Sequence, residues 1–371
     1  MRILYDHQMF ALQRFGGITR IFIELMKGLA GRPGVEIAWH RGWHVDQYEV
    51  TGFAPGLQAY AATEAAPGGE PAAERPAVNR ALFEKFAASL GTVDLYHPSY
   101  YEAATVQIPR RRRLILTVAD LIAEKYFQDL PRFRPLLDDR RRLILEADCL
   151  QVISESTRRD LLEHYPVDPK KIRLTYLASD IASIPEAPAP VLPERPFFLY
   201  VGTRSKYKNF DVLLRAFAAS PELARNFAVV SFGGTGDYNE PELKFMEAHG
   251  LRGAFTFVQG DDSLLKAYYR RAAALVYTSR YEGFGLPPLE AMECGCPVIC
   301  APTSSLPEVV GDAAALFNPD SAEELAAALL ALAGQAELRT RLIRAGYERA
   351  GRFTWRNTVE NTLAIYREVA A

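Results

Sequence analysis

The sequence lacks several features that would place this protein in a large functional class. The chain of 371 residues has four cysteines, and no second cysteine or histidine pair stands at zinc-ligand spacing from Cys294, Cys296 and Cys300. No uninterrupted apolar run approaches the roughly 20 residues of a transmembrane helix. A formal net charge of −2 provides no basic excess for nucleic acid. These absences predict a cytoplasmic protein with reduced thiols, no metal and no nucleic-acid partner.

A dinucleotide fingerprint is also missing from the first loop. Residues 6–17 follow the first predicted strand, and Gly16 and Gly17 open a helix without forming a Gly-X-Gly-X-X-Gly pattern. This argues against NAD and predicts no cofactor. Glycine lets a ligand approach the backbone closely, so the loop either contacts a ligand or is a plain turn at a helix start.

Short apolar, β-rich segments alternate with helical patterns along the whole chain. This alternation predicts an α/β protein with two doubly wound parallel sheets. The predicted strands are residues 2–5, 35–39, 94–96, 113–118, 149–153 and 173–176, then 197–201, 228–232, 255–257, 274–277, 298–300 and 314–317. The predicted helices include residues 18–29, 156–164, 210–219, 241–249, 263–271 and 288–293.

Composition suggests where the domains meet. Residues 181–196 contain five prolines and little periodicity, which predicts a linker. We therefore expect domains over residues 1–183 and 197–354, joined by residues 184–196, with an amphipathic helix over residues 354–369. Residues 54–76 are rich in Ala, Pro, Gly and Glu, and we expect a mobile surface insertion without a core of its own.

The segment Glu282-Gly-Phe-Gly-Leu-Pro-Pro-Leu-Glu290 follows a predicted buried strand and opens a helix. Backbone N–H groups at a helix N-terminus lack internal partners and attract anions. The two prolines cannot donate, so Gly285, Leu286 and Leu289 are the main-chain donors that remain. We expect Glu282 on the loop and Glu290 on the helix to face one ligand. The alternative is a tight turn with solvated glutamates.

A second turn carries cations. The predicted strand 197–201 is followed by Gly202, Thr203, Arg204, Lys206 and Lys208, and then by a helix. Cations at the carboxyl end of a parallel strand lie in the ligand crevice of such sheets. Because Arg grips phosphate with two hydrogen bonds and Lys acts as a point charge, the turn predicts a phosphate site. A solvated basic turn is the alternative, and Lys206 fits it best.

Other strand ends carry polar residues. His97, Tyr100 and Tyr101 follow the strand 94–96, and Asp120 follows the strand 113–118. Asp120 could receive sugar hydroxyls or orient a cation, whereas His97 either serves the substrate or caps a strand. Gln259 follows the third strand of the second half, where we expect it to flank a nucleotide base.

Together these motifs resemble the retaining glycosyltransferases of family 4. Glu282 to Glu290 is similar to the Glu-X7-Glu motif of that family. The continuations Ala291-Met-Glu-Cys-Gly-Cys-Pro-Val-Ile299 and Leu306-Pro-Glu-Val-Val-Gly311 resemble it too. The similarity runs from Tyr5 to the C-terminus, and bacterial O-antigen mannosyl- or rhamnosyltransferases are similar proteins. The resemblance implies the GT-B fold, with two Rossmann-like domains facing a cleft and the last helix returning to the first domain.

The chain departs from the family pattern at two positions. Lys208 falls at the family lysine, but Thr203 stands where the family arginine usually follows the glycine, so Arg204 is offset by one. Ala119 stands where the family often has a histidine before Asp120.

The resemblance also implies a role for each motif. It assigns catalysis to Glu282, Arg204, Lys208 and Asp120. From their place at a strand end, we expect His97, Tyr100 and Tyr101 to bind the acceptor. The resemblance assigns the nucleotide sugar to Gly16, Gly17, Gly202, Thr203, Gln259, Gly283, Phe284, Gly285, Leu286 and Glu290.

The function that follows is transfer of a hexose or deoxyhexose from a nucleoside diphosphate sugar to a sugar hydroxyl. A GDP-sugar is favoured and a UDP-sugar comes next; the acceptor is a glycan or a polyprenyl-diphosphate-linked glycan of polysaccharide synthesis. Retention is implied by the resemblance alone. The alternatives are a sugar-nucleotide epimerase and a non-catalytic sugar-nucleotide-binding protein.

Two arginine runs, residues 110–113 and 140–142, allow two interpretations. They are either a solvated basic surface or a contact with anionic lipid or a polyprenyl diphosphate at the inner face of the membrane, since each basic residue near an anionic leaflet gains about 1 kcal/mol.

Overall fold

The computed structural model describes residues 1–12, 16–45, 58–61, 75–107, 113–187, 190–234 and 236–371. The chain divides into two compact units. The first contains Met1–Leu177 and Trp355–Ala371, and the second contains Ala178–Thr354. Each unit has its own hydrophobic core.

The described residues of the first unit form a seven-stranded parallel sheet. Its strands are β1 (Arg2–Tyr5), β2 (Glu36–Gly42), β3 (Gln58–Ala61), β4 (Leu95–Tyr96), β5 (Arg113–Val118), β6 (Cys149–Val152) and β7 (Ile172–Leu174). They lie in the order β3-β2-β1-β4-β5-β6-β7. The helices between them are α1 (Gln8–Leu12), α2 (Gly17–Leu29), α3 (Arg75–Ser89), α4 (Ala103–Val106), α5 (Ile122–Tyr126), α6 (Arg134–Glu146) and α7 (Glu155–His164).

The second unit contains a six-stranded parallel sheet. Its strands are β8 (Phe197–Val201), β9 (Ala228–Phe232), β10 (Phe255–Val258), β11 (Ala274–Tyr277), β12 (Val298–Cys300) and β13 (Ala314–Leu316). They lie in the order β10-β9-β8-β11-β12-β13. The helices are α8 (Phe210–Ala219), α9 (Pro221–Asn226), α10 (Glu240–Ala248), α11 (Asp262–Tyr269), α12 (Leu286–Glu293), α13 (Leu306–Val310), α14 (Ala322–Gly334) and α15 (Ala336–Ala350).

The last helix, α16 (Trp355–Ala370), belongs to the first unit. It packs against α2 and places a row of polar side chains in the interior. The hydroxyl of Tyr366 lies 2.8 Å from that of Tyr5, and Gln151 donates to Thr362 at 3.0 Å. These hydrogen bonds join α16 to β1 and β6 in the interior of the unit.

The prediction of two doubly wound parallel sheets is confirmed. Both faces of these strands are covered by helices, so continuous apolar runs such as residues 197–201 and 274–277 are fully buried and were readable as strands. The predicted insertion at residues 54–76 contains an element that composition did not indicate. Residues 58–61 form the edge strand β3, which pairs with β2, while residues 54–57 and 62–74 lie outside the described part of the chain.

Both sheets reverse their strand order at one point. In the second unit the reversal lies between β8 and β11, and in the first unit it lies between β1 and β4. Ligands of doubly wound sheets bind outside the carboxyl ends of the strands at such switch points. The loops after these four strands are therefore where functional side chains are expected.

Among the described residues, no helix combines the length and the apolar character needed to cross a membrane.

Candidate functional site

Two of the predicted site segments meet at the switch point of the second sheet. Lys208 lies in the turn after β8, and Glu282 lies in the loop after β11. Their side chains form an ion pair, with Lys208 Nζ 2.6 Å from Glu282 Oε1, and they are only 14% and 9% exposed. The fold thus brings together a cation and a carboxylate that are 74 positions apart in the sequence.

The phenol of Tyr277 completes this pair. Lys208 Nζ donates to its hydroxyl at 3.3 Å, and the hydroxyl of Thr278 donates to the carbonyl of Lys208 at 2.7 Å. Burial raises the pKa of Tyr277 well above 10, and the nearby carboxylate of Glu282 raises it further. Tyr277 therefore stays protonated, so the described charges at this point are those of Lys208 and Glu282.

The loop that carries Glu282 is held by two serines. The N–H of Glu282 donates to Ser304 Oγ at 2.7 Å. The fully buried Ser305 donates to the carbonyls of Glu282 and Phe284 at 2.9 and 2.7 Å. Gly285 then starts α12 with a φ of 112°, where an added Cβ would lie 2.8 Å from Leu306. Glycine is required there because a side chain would be strained and would clash.

Glu290 lies within α12 and is 9% exposed. The hydroxyl of Tyr269 donates to its Oε2 at 3.0 Å. Burial raises the pKa of Tyr269 well above 10, and the carboxylate of Glu290 adds to that effect. The phenol thus remains a donor and fixes the orientation of the carboxylate.

Arg204 does not occupy the position expected of a phosphate ligand. Its guanidinium pairs with Glu242 at 3.0 Å and donates to the carbonyls of Gly236 and Asp237 at 2.9 and 2.6 Å. The side chain is 8% exposed, and Glu242 is held in turn by the capping box of Asn239 at the start of α10. Because these bonds engage the guanidinium, Arg204 stabilises the segment 236–242 in this structure.

The remaining predicted residues of the second unit lie along the same loops. Gly202 follows β8 with a φ of 122°, and Thr203 is half-buried beside it. Gln259 is exposed after β10. Phe284 is buried against Phe353, with ring centroids 5.7 Å apart, so it acts as an apolar anchor of the loop. Gly283 is buried, and Leu286 is half-buried at the first position of α12.

In the first unit, Gly16 and Gly17 stand at the start of α2. Gly16 has extended backbone with φ 177°, and Gly17 is exposed as the first residue of the helix. Gly16 and Gly17 thus open a helix, as predicted, and the N-terminus of this helix follows β1, a strand of the switch point. Residues 13–15 lie outside the described part of the chain.

His97 is an interior residue, contrary to the expected acceptor role, whereas the buried Tyr101 still lines cavities at this edge of the sheet. His97 is fully buried; Nδ1 lies 2.5 Å from the hydroxyl of Tyr366 and Nε2 lies 2.7 Å from that of Thr117. Burial lowers the pKa of His97 to about 3, so its ring is neutral. Tyr101 donates to the carbonyl of Thr117 at 2.8 Å. The physical reason is that α16 covers the end of β4 and removes His97 from solvent.

Asp120 and Tyr100 remain partly accessible. The N–H of Ile122 donates to Asp120 Oδ1 at 2.9 Å, and Arg140 donates to the Asp120 carbonyl. Tyr100 is half-buried, with its ring 5.0 Å from that of Tyr101. These side chains border the end of β5, where a sugar hydroxyl could reach the carboxylate.

The second arginine run does not form one basic surface. Arg140 is 4% exposed, lies 3.3 Å from Glu124 and stacks over the ring of Tyr101 at 4.6 Å. Arg141 and Arg142 are exposed, and Arg142 pairs with Glu146. In the first run Arg113 is exposed and pairs with Asp148, while residues 110–112 are not among those described.

Sequence reasoning missed Asp6, which is fully buried after β1. Its carboxylate accepts hydrogen bonds from Tyr96 and Gln8, both at 2.6 Å, and from the N–H of Ser99 at 3.0 Å. It therefore ties the loop after β1 to the loop after β4. An acidic residue directly after an apolar strand was the available signal.

In the described part of the chain we find no candidate site for a metal ion or for a reactive thiol. No cluster of three His, Cys, Asp or Glu side chains there could hold a metal ion. Burial raises the pKa of Cys149 to about 11 and that of Cys300 to about 12, so these thiols stay protonated at neutral pH.

Two family models match this chain. The model of the glycosyl transferases group 1 matches residues 186–349, and the model of glycosyltransferase family 4 matches residues 15–182. Each match corresponds to one of the two sheets.

Two proteins of Escherichia coli illustrate the relatives by sequence. O-antigen chain mannosyltransferase B is 30% identical over 289 residues, which are 74% of this chain and 74% of that protein. Serotype-specific mannosyltransferase WbdA is 28% identical over 288 residues, which are 71% of this chain but only 35% of that protein. The chain thus matches about a third of the longer relative.

Solved structures share the fold over nearly the whole chain. Sucrose-phosphate synthase from Thermosynechococcus elongatus has a TM-score of 0.76 and 23% identity, covering 99% of this chain and 98% of that one. HepE of Anabaena in complex with UDP-glucose has a TM-score of 0.73 and 17% identity, covering 99% and 100%. The shared architecture is the GT-B fold.

Proposed function

We propose, from the premise that the chain belongs to glycosyltransferase family 4, that it moves a hexose or deoxyhexose from a nucleoside diphosphate sugar to a glycan hydroxyl. The observation that carries the proposal is the buried ion pair of Lys208 and Glu282 at the switch point of the second sheet. A lysine can bind the diphosphate of a nucleoside diphosphate sugar, and a carboxylate beside it can accept hydrogen bonds from the hydroxyls of the adjoining sugar.

The reaction separates a diphosphate from an anomeric carbon, so negative charge grows on the leaving phosphates. Positive charge already in place stabilises that transition state without reorganisation. Lys208 supplies one charge, and the N-terminus of α12 adds the positive end of the helix dipole. Because Arg204 is paired with Glu242, we assign diphosphate binding to Lys208 and to the start of α12.

The two glutamates take separate roles in this proposal. Glu290 lies in α12, and its carboxylate is oriented by the hydroxyl of Tyr269. It would accept hydrogen bonds from the ribose hydroxyls. Glu282 is on the loop and would accept from hydroxyls of the transferred sugar. Departure of the diphosphate would leave its oxygen as the base for same-face attack, which gives retention, and no metal would be needed. Family membership is what supports retention in this proposal.

The donor and acceptor are proposed from the relatives. The mannosyltransferase names of both E. coli relatives support a hexose such as mannose and an acceptor chain of O-antigen type. A GDP-sugar is our first candidate and a UDP-sugar the second, the latter supported by the UDP-glucose complex of HepE. We further propose that transfer takes place on the cytoplasmic side, next to the membrane when the acceptor is lipid-linked.

The test starts with binding. Calorimetry with GDP, UDP, ADP and dTDP should identify one preferred nucleoside diphosphate. Lys208→Ala should weaken its binding by about 1.5–3 kcal/mol, the value of a charged hydrogen bond. Lys206→Ala removes an exposed lysine of the same turn and is the matched control, for which we expect no change. Equal affinity of wild type and Lys208→Ala for every nucleotide contradicts the proposal.

Product analysis then separates the activities. A transferase hydrolyses its sugar nucleotide slowly without acceptor and forms a glycoside with one. An epimerase instead returns a new sugar nucleotide, and a binding protein returns the donor unchanged.

A further inference from the structure

A cavity of about 480 Å³ opens in the first unit, and the two tyrosines described above form part of its lining. It lies at the carboxyl ends of three strands: His7 follows β1, Trp43 follows β2, and Glu102 follows β4. Its volume falls in the roughly 300–1,000 Å³ range of small-molecule sites, which favour this edge of a parallel sheet.

The walls of the cavity are mainly apolar and aromatic. Trp43, Tyr100 and Leu136 line it, and the main chain of Trp43 is clamped by the buried Asn79. Asn79 accepts from the N–H of Trp43 at 2.7 Å and donates to its carbonyl at 2.8 Å. A buried indole beside a half-buried phenol offers flat apolar faces of the kind against which the C–H face of a pyranose packs.

The charged groups among the described lining residues are carboxylates. Glu102 and Asp139 bring two carboxylates, and the described lining includes neither Lys nor Arg. The nearby Arg80 is engaged by Glu102 at 3.5 Å. Burial lowers the pKa of His7, so its ring is neutral at physiological pH. Carboxylates accept hydroxyl hydrogen bonds and repel phosphate, so the charge pattern favours a neutral, hydroxyl-rich ligand.

A smaller cavity of about 180 Å³ adjoins the first and shares Tyr100, Tyr101 and Leu136 with it. Asp120 lines this smaller cavity. The two cavities thus lie side by side at the tyrosine pair, with Asp120 lining the smaller one and Trp43 the larger one.

We propose that the larger cavity binds a neutral sugar of the acceptor chain, next to the sugar that lies beside Asp120. This inference rests on the proposed transfer to a glycan. It adds that the enzyme recognises at least two consecutive neutral sugars, and that a lipid diphosphate does not enter this cavity.

Binding can be tested without catalysis, by saturation-transfer NMR and titration. The probes are methyl glycosides and disaccharides of mannose, rhamnose and glucose, with farnesyl diphosphate as the anionic lipid probe. We expect at least one disaccharide to bind more tightly than its methyl glycoside, and farnesyl diphosphate not to compete for it. Trp43→Leu should weaken the disaccharide about three- to tenfold, the range of an aromatic contact, and leave the methyl glycoside unchanged.

Substitutions at two exposed leucines provide a variant and its matched control, and neither change should unfold the protein. Leu12 lines the cavity and is 62% exposed, whereas Leu145 is 41% exposed on α6 and does not line it. Leu12→Lys should weaken disaccharide binding and allow farnesyl diphosphate to compete, while Leu145→Lys should do neither. Glu102→Gln should move selectivity in the same direction as Leu12→Lys, because it removes a carboxylate and releases Arg80.

Three results would overturn the inference: no disaccharide binds more tightly than its methyl glycoside; Trp43→Leu and Leu12→Lys leave disaccharide binding unchanged; or farnesyl diphosphate displaces the disaccharide from the wild type. Failure of the proposed function is seen separately, because donor hydrolysis and nucleoside diphosphate binding are measured without any acceptor.

Discussion

The ion pair of Lys208 and Glu282 should be strongly coupled, and a double-mutant cycle measures that coupling. The variants are Lys208→Met, which keeps the aliphatic stem, Glu282→Gln, which keeps the size and one acceptor, and the double variant. Each single change leaves one charge without its partner in a site where the two side chains are 14% and 9% exposed. The double change removes both charges together.

The expected magnitude follows from burial. Removing one partner of a buried pair costs about 3–5 kcal/mol, whereas an exposed pair contributes under about 1 kcal/mol. The hydroxyl of Tyr277, 3.3 Å from Lys208, remains as a partner in Glu282→Gln, so we expect the lower end of that range. About 3 kcal/mol corresponds to a fall in melting temperature of about 6–12 °C for a unit of this size. The coupling energy should be about 2–3 kcal/mol.

Calorimetric unfolding of the four proteins without ligand provides the assay. The control is the same cycle at Lys244 and Glu240, whose charged atoms are also 2.6 Å apart but whose side chains are 73% and 76% exposed. Their coupling should be about 0.3–0.5 kcal/mol. If the two cycles give equal coupling energies, burial does not strengthen the Lys208–Glu282 pair and the reasoning about this site is refuted.

Three further outcomes are expected. Transfer should persist in EDTA because we propose that Lys208 and the start of α12, and no metal ion, offset the charge of the diphosphate; a strict need for magnesium or manganese contradicts this. Glu290→Gln should weaken nucleoside diphosphate binding, whereas Glu282→Gln should mainly lower turnover; titration and rate measurements showing the reverse pattern would exchange the two roles. Burial lowers the pKa of His97 to about 3, below its value of about 6.5 in the unfolded chain. The unfolded state therefore binds the extra proton, and stability is lost as pH falls from 6.5 towards 3. Between pH 7 and pH 5 the wild type should lose about 2 kcal/mol more than His97→Gln in urea unfolding, and parallel losses would place His97 outside the core.

Much of the fold was readable because each parallel strand is buried on both faces. Residues 197–201 and 274–277 are continuous apolar runs, and the structure has strands with the same bounds. The edge strand β3 was missed because its segment, residues 58–61, lies in a stretch whose composition resembles a loop. Only the pairing of this segment with β2, a contact between residues distant in the chain, makes it a strand.

The sequence by itself determined how strands and helices alternate along the chain, where the turns that carry Glu282 and Lys208 lie, and the family to which the chain belongs. These features are local patterns, and each follows from residues close together in the chain. The tertiary structure decided which partner each charge meets. Arg204 pairs with Glu242, 38 positions away, and His97 meets Tyr366, 269 positions away. A side chain ends as a ligand contact or as an interior support according to what the fold packs against it, and no local pattern contains that information.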